Sequence, residues 1–215
     1  MGIVAEDTGN DDTAMTAAVR AAQDGDEDAF RALYRAIQPG LIRYLWVQVG
    51  DAAEDVASET WLQVAKNLRS FRGDAAGFRG WVATIGRHRA IDYVRHERRQ
   101  PTADSSLDEA PEPVAADDTA GSALDALSTR DALALIARLP RDQGEAVLLR
   151  AVMGLDAKTA AKVLGKRSGA VRTAAYRGLH ALAAYLDETG ASPPVRVTTD
   201  TRVTQMPAAS LKDMR

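Results

Sequence analysis

The chain has 215 residues, room for one or two small domains. It contains no cysteine, which excludes a disulfide framework, a thiolate zinc site and a cysteine nucleophile. Aromatics make up 5% of it, alanine is abundant and β-branched alternation is rare, so an all-α fold is expected.

The formal net charge of −3 conceals a segregation along the chain. Residues 1–65 hold 12 acids against 4 bases, and residues 66–99 hold 9 bases against 3 acids, a net of +6. Residues 100–126 carry 7 acids and no base, and residues 127–186 carry 10 bases against 4 acids, again +6. Two basic blocks separated by an acidic connector suggest two modules that share one polyanion. The three histidines, His88, His96 and His180, are scattered, so neither a metal site nor a cofactor is expected. The apolar runs fall short of a bilayer span. The acidic start, MGIVAEDTGNDDT, lacks the apolar core of a signal peptide. The expectation is a soluble cytoplasmic protein with no membrane insertion.

In chain order, residues 1–12 read as a disordered N-terminus. A helix is expected from Thr13 to Gln23, broken at Asp24-Gly25. Asp26 can cap a second helix that carries Phe30, Leu33, Tyr34 and Ile37 on one stripe. Pro39-Gly40 predicts a break, with the helix resuming over 41–49. A further helix, running to Leu68, places Ala57, Trp61, Val64, Ala65 and Leu68 toward a core and leaves Asp55, Glu59 and Lys66 off that stripe. After a loop over 69–74, a long helix from Ala75 to Arg99 has Phe78, Trp81, Val82, Ile85, Ile91 and Val94 for packing. Its remaining surface is rich in arginine.

Residues 101–126 have the composition of a flexible acidic linker. Ser128 is expected to cap a helix ending near Leu139, and Pro140 to open the next in its first turn. Gly154 ends that helix, and Asp156 caps a short one over 157–164. Gly165-Lys166-Arg167 then forms a tight turn before a last helix from Ser168 to Leu186. Residues 188–215 read as a disordered tail.

Residues 155–182 thus have helix–turn–helix spacing. Val171, Ala175, Leu179 and Leu182 are expected to pack the second helix. Lys166, Arg167, Ser168, Ala170, Arg172, Thr173, Tyr176 and Arg177 then surround its exposed N-terminal half. Such an end can enter a major groove, where arginine forks guanine N7 and O6 and alanine or threonine meets a thymine methyl. The helix N-terminus also favours phosphate. A plain helical hairpin with a solvated basic face is the simpler reading; basic charge and spacing together favour DNA.

With these residues in view, the chain resembles the extracytoplasmic-function (ECF) sigma factors, compact sigma-70 type proteins with a σ2 and a σ4 domain. The likeness spans 24–186. Its carriers are the Asp51-Ala-Ala-Glu-Asp-Val-Ala-Ser-Glu-Thr-Trp-Leu segment, the segment from Phe78 through Trp81, Ile85 and Asp92 to Arg95, and the Leu139-Pro-Arg-Asp-Gln-Gly-Glu segment with the helix–turn–helix after it. The resemblance implies two small helical domains joined by the acidic linker: σ2 over 13–100 and σ4 over 127–187. It also implies a sigma factor, not an enzyme, that binds core RNA polymerase through the β′ clamp helices and β flap, directs it to promoters and assists melting.

By the same resemblance, Asp55, Ser58 and Glu59 face the clamp helices. The loop and long helix, with Arg69, Arg72, Arg79, Arg87, His88, Arg89, Arg95, Arg98 and Arg99, hold the −10 element and a base flipped from it. The eight residues around the second helix of the helix–turn–helix, Lys166 to Arg177, read the −35 element. The linker follows the RNA-exit path, and an anti-sigma factor is a possible further partner. The chain departs from the family pattern at Ser58 (usually Gln), Gly144 and Ala174 (usually Arg) and Arg167 (usually a capping Ser or Thr, so that Ser168 is expected to cap one residue later). Gly178 is expected to weaken its helix by about 1 kcal/mol. Two other readings compete. A stand-alone operator-binding regulator leaves the first basic helix unused. An enzyme built on His88 and Asp92, at i and i+4, lacks a third ligand.

Overall fold

The computed structural model describes residues 5–99 and 120–189, with side chains for 11–99 and 129–187. The connector through 119 and the tail from 190 onward lie outside the described residues. All the regular elements among the described residues are helical: α1 (Ala5–Gln23), α2 (Glu27–Val49), α3 (Ala53–Asn67), α4 (Ala75–Glu97), α5 (Ala120–Ala137), α6 (Arg141–Val147), α7 (Ala157–Leu164) and α8 (Ser168–Thr189).

The first four helices form one group. Asp26 caps α2, its Oδ1 accepting the Asp28 and Ala29 N–H groups at 2.8 and 3.0 Å. The Pro39-Gly40 pair does not break α2, contrary to expectation. Leu33, Ile37, Leu41, Tyr44 and Leu45 are buried on both sides of Pro39, so continuous burial outweighs the missing backbone bond. Gly40 instead provides closeness: a Cβ there would lie 3.1 Å from the Val152 carbonyl oxygen. Helix α3 packs through Ala53, Val56, Ala57, Trp61 and Val64, while Ala65, expected on that stripe, is exposed. Phe78, Val82, Ala83 and Ala90 bury α4.

Helix α1 begins at Ala5, well ahead of the expected start at Thr13. Asp12 is fastened to α4 by an ion pair with Arg79 at 2.6 Å, a partner 67 residues away that local composition does not reveal.

The second group is α5 to α8. Helix α5 starts at Ala120 rather than at the expected Ser128 cap, inside the stretch read as linker. Pro140 sits at the N-cap of α6 rather than in its first turn. Helix α6 widens into a π-helical turn over Leu148–Val152, closed by the Met153 N–H donating to the Leu148 carbonyl at 3.0 Å. Asp156 caps α7 through the Thr159 N–H at 2.7 Å. Gly165 ends α7 in the left-handed region, φ 64°, as a sharp turn requires.

The two groups share one hydrophobic core. Helix α4 lies against α7, and α2 lies against α5 and the π-helical turn.

Candidate nucleic-acid interface

Three surfaces carry the residues singled out in the sequence. On α3, Asp55, Ser58 and Glu59 are all exposed, opposite the buried Val56, Ala57 and Thr60. Leu62 continues the same face one turn on and is 61% exposed, the kind of apolar contact a partner would cover. The sequence reading passed over Leu62, although its spacing of i+7 from Asp55 places it there. Tyr93 of α4 lies nearby. Desolvation, then Glu97 and Asp55, raises its phenol above the ordinary range.

The second surface is the loop before α4 and α4 itself. Phe71 anchors the loop, stacked on Trp81 at 5.1 Å and edge-on to Phe78 at 5.4 Å. Trp81 is therefore half-buried under Phe71 and packs as the sequence favoured. From α1, Gln23 Nε2 donates to the Leu68 and Phe71 carbonyls at 2.9 and 2.8 Å. No local pattern marks Gln23 for this role, since its acceptors lie 45 and 48 residues away. Asp74 Oδ1 accepts the Gly77 N–H and starts α4.

The −10 candidates divide into two sets. Arg69, Arg72, His88, Arg95, Arg98 and Arg99 are exposed. Arg72 also donates to the Arg69 and Phe71 carbonyls at 2.8 and 2.7 Å, which orients it along the loop. Arg79, Arg87 and Arg89 are half-buried and engaged: Arg79 with Asp12, Arg87 with Glu145 at 3.4 Å, Arg89 with Gln63 Oε1 at 3.3 Å.

The third surface is the helix–turn–helix. Val171, Ala175 and Gly178 are buried, so the outer face presents Ala170, Arg172, Thr173, Tyr176 and Arg177, all exposed. Arg167 is exposed as well, and Ser168 is half-buried. Leu179, expected to pack, is instead 52% exposed. The buried stripe runs 171, 175, 178, so a glycine faces the core where the pattern suggested a leucine. The Arg167 carbonyl accepts the Val171 N–H at 3.2 Å, which puts Arg167 at the N-cap and Ser168 in the first helical position. The expected shift of the cap to Ser168 does not occur. Lys166 Nζ pairs with Asp142 at 2.6 Å, tying the turn to α6. That bond holds the Asp142 carboxyl below its ordinary range.

A short capped helix, a glycine turn and a second helix with a basic, outward N-terminal half together define a DNA-binding helix–turn–helix module. Comparison with known proteins carries this further. Residues 33–100 match the sigma-70 region 2 model, and residues 129–182 match the sigma-70 region 4 model. The ECF RNA polymerase sigma factor BldN of Streptomyces coelicolor is 33% identical over 183 residues, 83% of this chain and 68% of that protein. The ECF sigma factor ShbA of Streptomyces griseus is 34% identical over 187 residues, covering 82% of this chain and 97% of ShbA. Among solved structures, CnrH in complex with the cytosolic domain of CnrY superposes with a TM-score of 0.57 at 22% identity, over 81% of this chain and 98% of that one. The sigma factor RpoE, in complex with the anti-sigma factor NepR from Bartonella quintana, gives 0.54 at 20% identity, over 74% and 96%. Both support the all-α, two-domain fold.

The chain belongs to the ECF family of sigma-70 type sigma factors. It is a promoter-directing subunit of RNA polymerase, of a family whose members are not enzymes. Its first helical group contains the region 2 match, the σ2 part, and its second contains the region 4 match, the σ4 part. The region 2 match over residues 33–100 gives the first group a role that a stand-alone operator-binding regulator leaves empty. No helix among the described residues is long and apolar enough to cross a membrane.

Proposed function

We propose that the three surfaces divide the work of initiation, with σ2 over 13–100 and σ4 over 127–187. The α3 face, Asp55, Ser58 and Glu59 with Leu62 beside them, docks on the β′ clamp helices, where two carboxylates meet basic partner groups around an apolar contact. The exposed bases of the loop and α4 hold the melted −10 strand, gripping phosphates while a base is flipped out of the stack. The N-terminal half of α8 reads the −35 duplex, and σ4 also engages the β flap. The observation that carries this reading is the outward face of α8: five candidates exposed on one side, with Val171, Ala175 and Gly178 buried on the other. The protein acts in the cytoplasm without catalytic chemistry of its own. An anti-sigma factor is its proposed regulator, by likeness to the two solved complexes.

Transcription in vitro with core polymerase on a genomic library tests this reading. The wild type is expected to yield defined start sites that share −35 and −10 elements. Asp55→Lys with Glu59→Lys is expected to abolish them while the full-length variant still binds −35 duplex. Unimpaired transcription by that variant would remove the α3 assignment.

A further inference from the structure

A cleft of about 490 Å³ opens where the C-terminal ends of α2 and α4 face α5 and α6. That volume falls inside the range of small-molecule sites, roughly 300–1,000 Å³. Its lining is divided by chemistry. Ile91 and Val94 of α4 form an apolar wall on one side, and Ile136, Leu139 and Leu148 of the second group form one on the other. Arg95 and Arg98, at the end of α4, and Arg141, at the start of α6, are exposed and stand at its rim.

The three arginines face one carboxylate of the lining, Glu145, which Arg87 and Arg141 already share at 3.4 Å each. Arg95 is held only loosely, by Asp92 at 3.9 Å with both side chains mostly exposed. The rim therefore carries surplus positive charge. From α2, Gln48 also lines the cleft, and its Nε2 is buried without a hydrogen bond of acceptable geometry. Such a buried donor calls for an acceptor.

We propose that this cleft binds a nucleoside diphosphate. The flat base lies between the two apolar walls, where Gln48 Nε2 donates to an acceptor on its edge. The phosphates lie among Arg95, Arg98 and Arg141, whose planar forks suit phosphate oxygens. An apolar ligand would leave the arginines unused, and a bare phosphate would leave the walls unused. The site stands on the geometry of the cleft and goes beyond the sigma-factor reading. Arg95 and Arg98 are also candidates for the −10 strand, so the variants that test the cleft are drawn from other residues of its lining.

The probe is ADP, titrated calorimetrically into the full-length chain beside adenosine, pyrophosphate and a short single-stranded DNA. ADP is expected to bind one-to-one and at least about tenfold more tightly than adenosine or pyrophosphate, since each of those engages only part of the lining. Arg141→Gln is expected to weaken ADP roughly tenfold by removing a charged phosphate contact. Its side chain is 74% exposed, and Glu145 keeps Arg87. Ala137→Trp, at an exposed position of the lining, is expected to fill the slot and abolish ADP binding while pyrophosphate binding persists. Gln48→Leu is expected to weaken ADP and leave pyrophosphate unchanged. Far-UV circular dichroism checks that each variant keeps its helices. Absence of one-to-one ADP binding overturns the proposal. Pyrophosphate that binds as tightly as ADP also overturns it, because the rim would then take any polyanion. ADP binding unchanged in both Arg141→Gln and Ala137→Trp does the same. If the DNA strand binds, ADP does not, and Arg141→Gln weakens the strand, the cleft belongs to nucleic acid and the proposal falls.

Discussion

Arg87 of α4 and Glu145 of α6, 58 residues apart in the chain, meet at 3.4 Å across the seam between the two domains. Glu145 has a second cation near it, Arg141, also at 3.4 Å, but that side chain is 74% exposed and well screened by solvent. Arg87 Nε is buried without a partner, so Glu145 supplies the compensation this guanidinium has. Replacing either residue by glutamine strands the other; replacing both does not. The double variant is therefore expected to be less destabilised than the two single variants combined, with a coupling of about 1 kcal/mol. Urea midpoints of the four proteins measure it, and strictly additive effects would refute the pairing.

Arg172 and Arg177 sit on the outward face of α8. Neutralising both to glutamine is expected to leave the melting temperature unchanged, since exposed substitutions away from packing shift stability by less than about 0.5 kcal/mol. Affinity for −35 duplex is expected to fall. If each guanidinium touches a phosphate, the slope of log K against log salt becomes shallower by about 0.9 for each phosphate no longer neutralised. If they read bases instead, discrimination at defined positions relaxes while the slope moves less. Fluorescence anisotropy over a salt series distinguishes the two, and an unchanged affinity at every salt removes both residues from the interface.

Asp156 links helix capping to pH. Its carboxylate accepts from Thr159, which holds its folded pKa below the ordinary 3.8. The charged form is thus favoured by folding, so the contribution is complete above about pH 3.8 and fades as pH falls through the lower folded value. Asp156→Asn keeps an oxygen acceptor without the titration. The melting-temperature gap between wild type and Asp156→Asn is expected to narrow on acidification from pH 6 to below pH 3.8. Asp156→Ala, which removes the cap outright, is expected to cost about 1 kcal/mol at neutral pH. A gap that holds constant down to the lowest pH would rule out this charge as a contributor.

Features set by neighbours a few residues apart were legible in the sequence. The Asp26 and Asp156 caps, the Gly165 turn and the exposed set on α3 each depend on local spacing, and each stands in the structure. What the sequence hid comes from distant partners. Pro39 reads as a stop because its local effect is a missing hydrogen bond, and only the packing of Leu33 and Leu41 on either side of it restores the helix. Arg79 and Arg87 read as free bases until Asp12 and Glu145 arrive from 67 and 58 residues away. The same limit made Leu179 look like core: a heptad-like pattern offers both 178 and 179, and which one turns inward depends on α6.

Gly178 gives that last point a measurable sign. On helix propensity alone, Gly178→Ala within α8 would stabilise by about 1 kcal/mol. The packing opposes it: a Cβ at 178 would lie 2.7 Å from Val147 Cγ2 and 3.3 Å from the Gln143 carbonyl. Val147 is 2% exposed and has no room to yield, so α6 and α8 must separate. Overpacking of this kind typically costs about 1–3 kcal/mol, which exceeds the propensity gain. Gly178→Ala is therefore expected to lower the melting temperature. Gly169 is the control on the same helix, since nothing lies within 4 Å of a Cβ there. Gly169→Ala is expected to raise the melting temperature, by up to about 1 kcal/mol of stability. Thermal unfolding of the two variants side by side tests the geometry. A rise in both would mean that α6 and α8 pack loosely enough at Val147 to admit a methyl group, and that the glycine at 178 is a weakness of the helix rather than a condition of its packing.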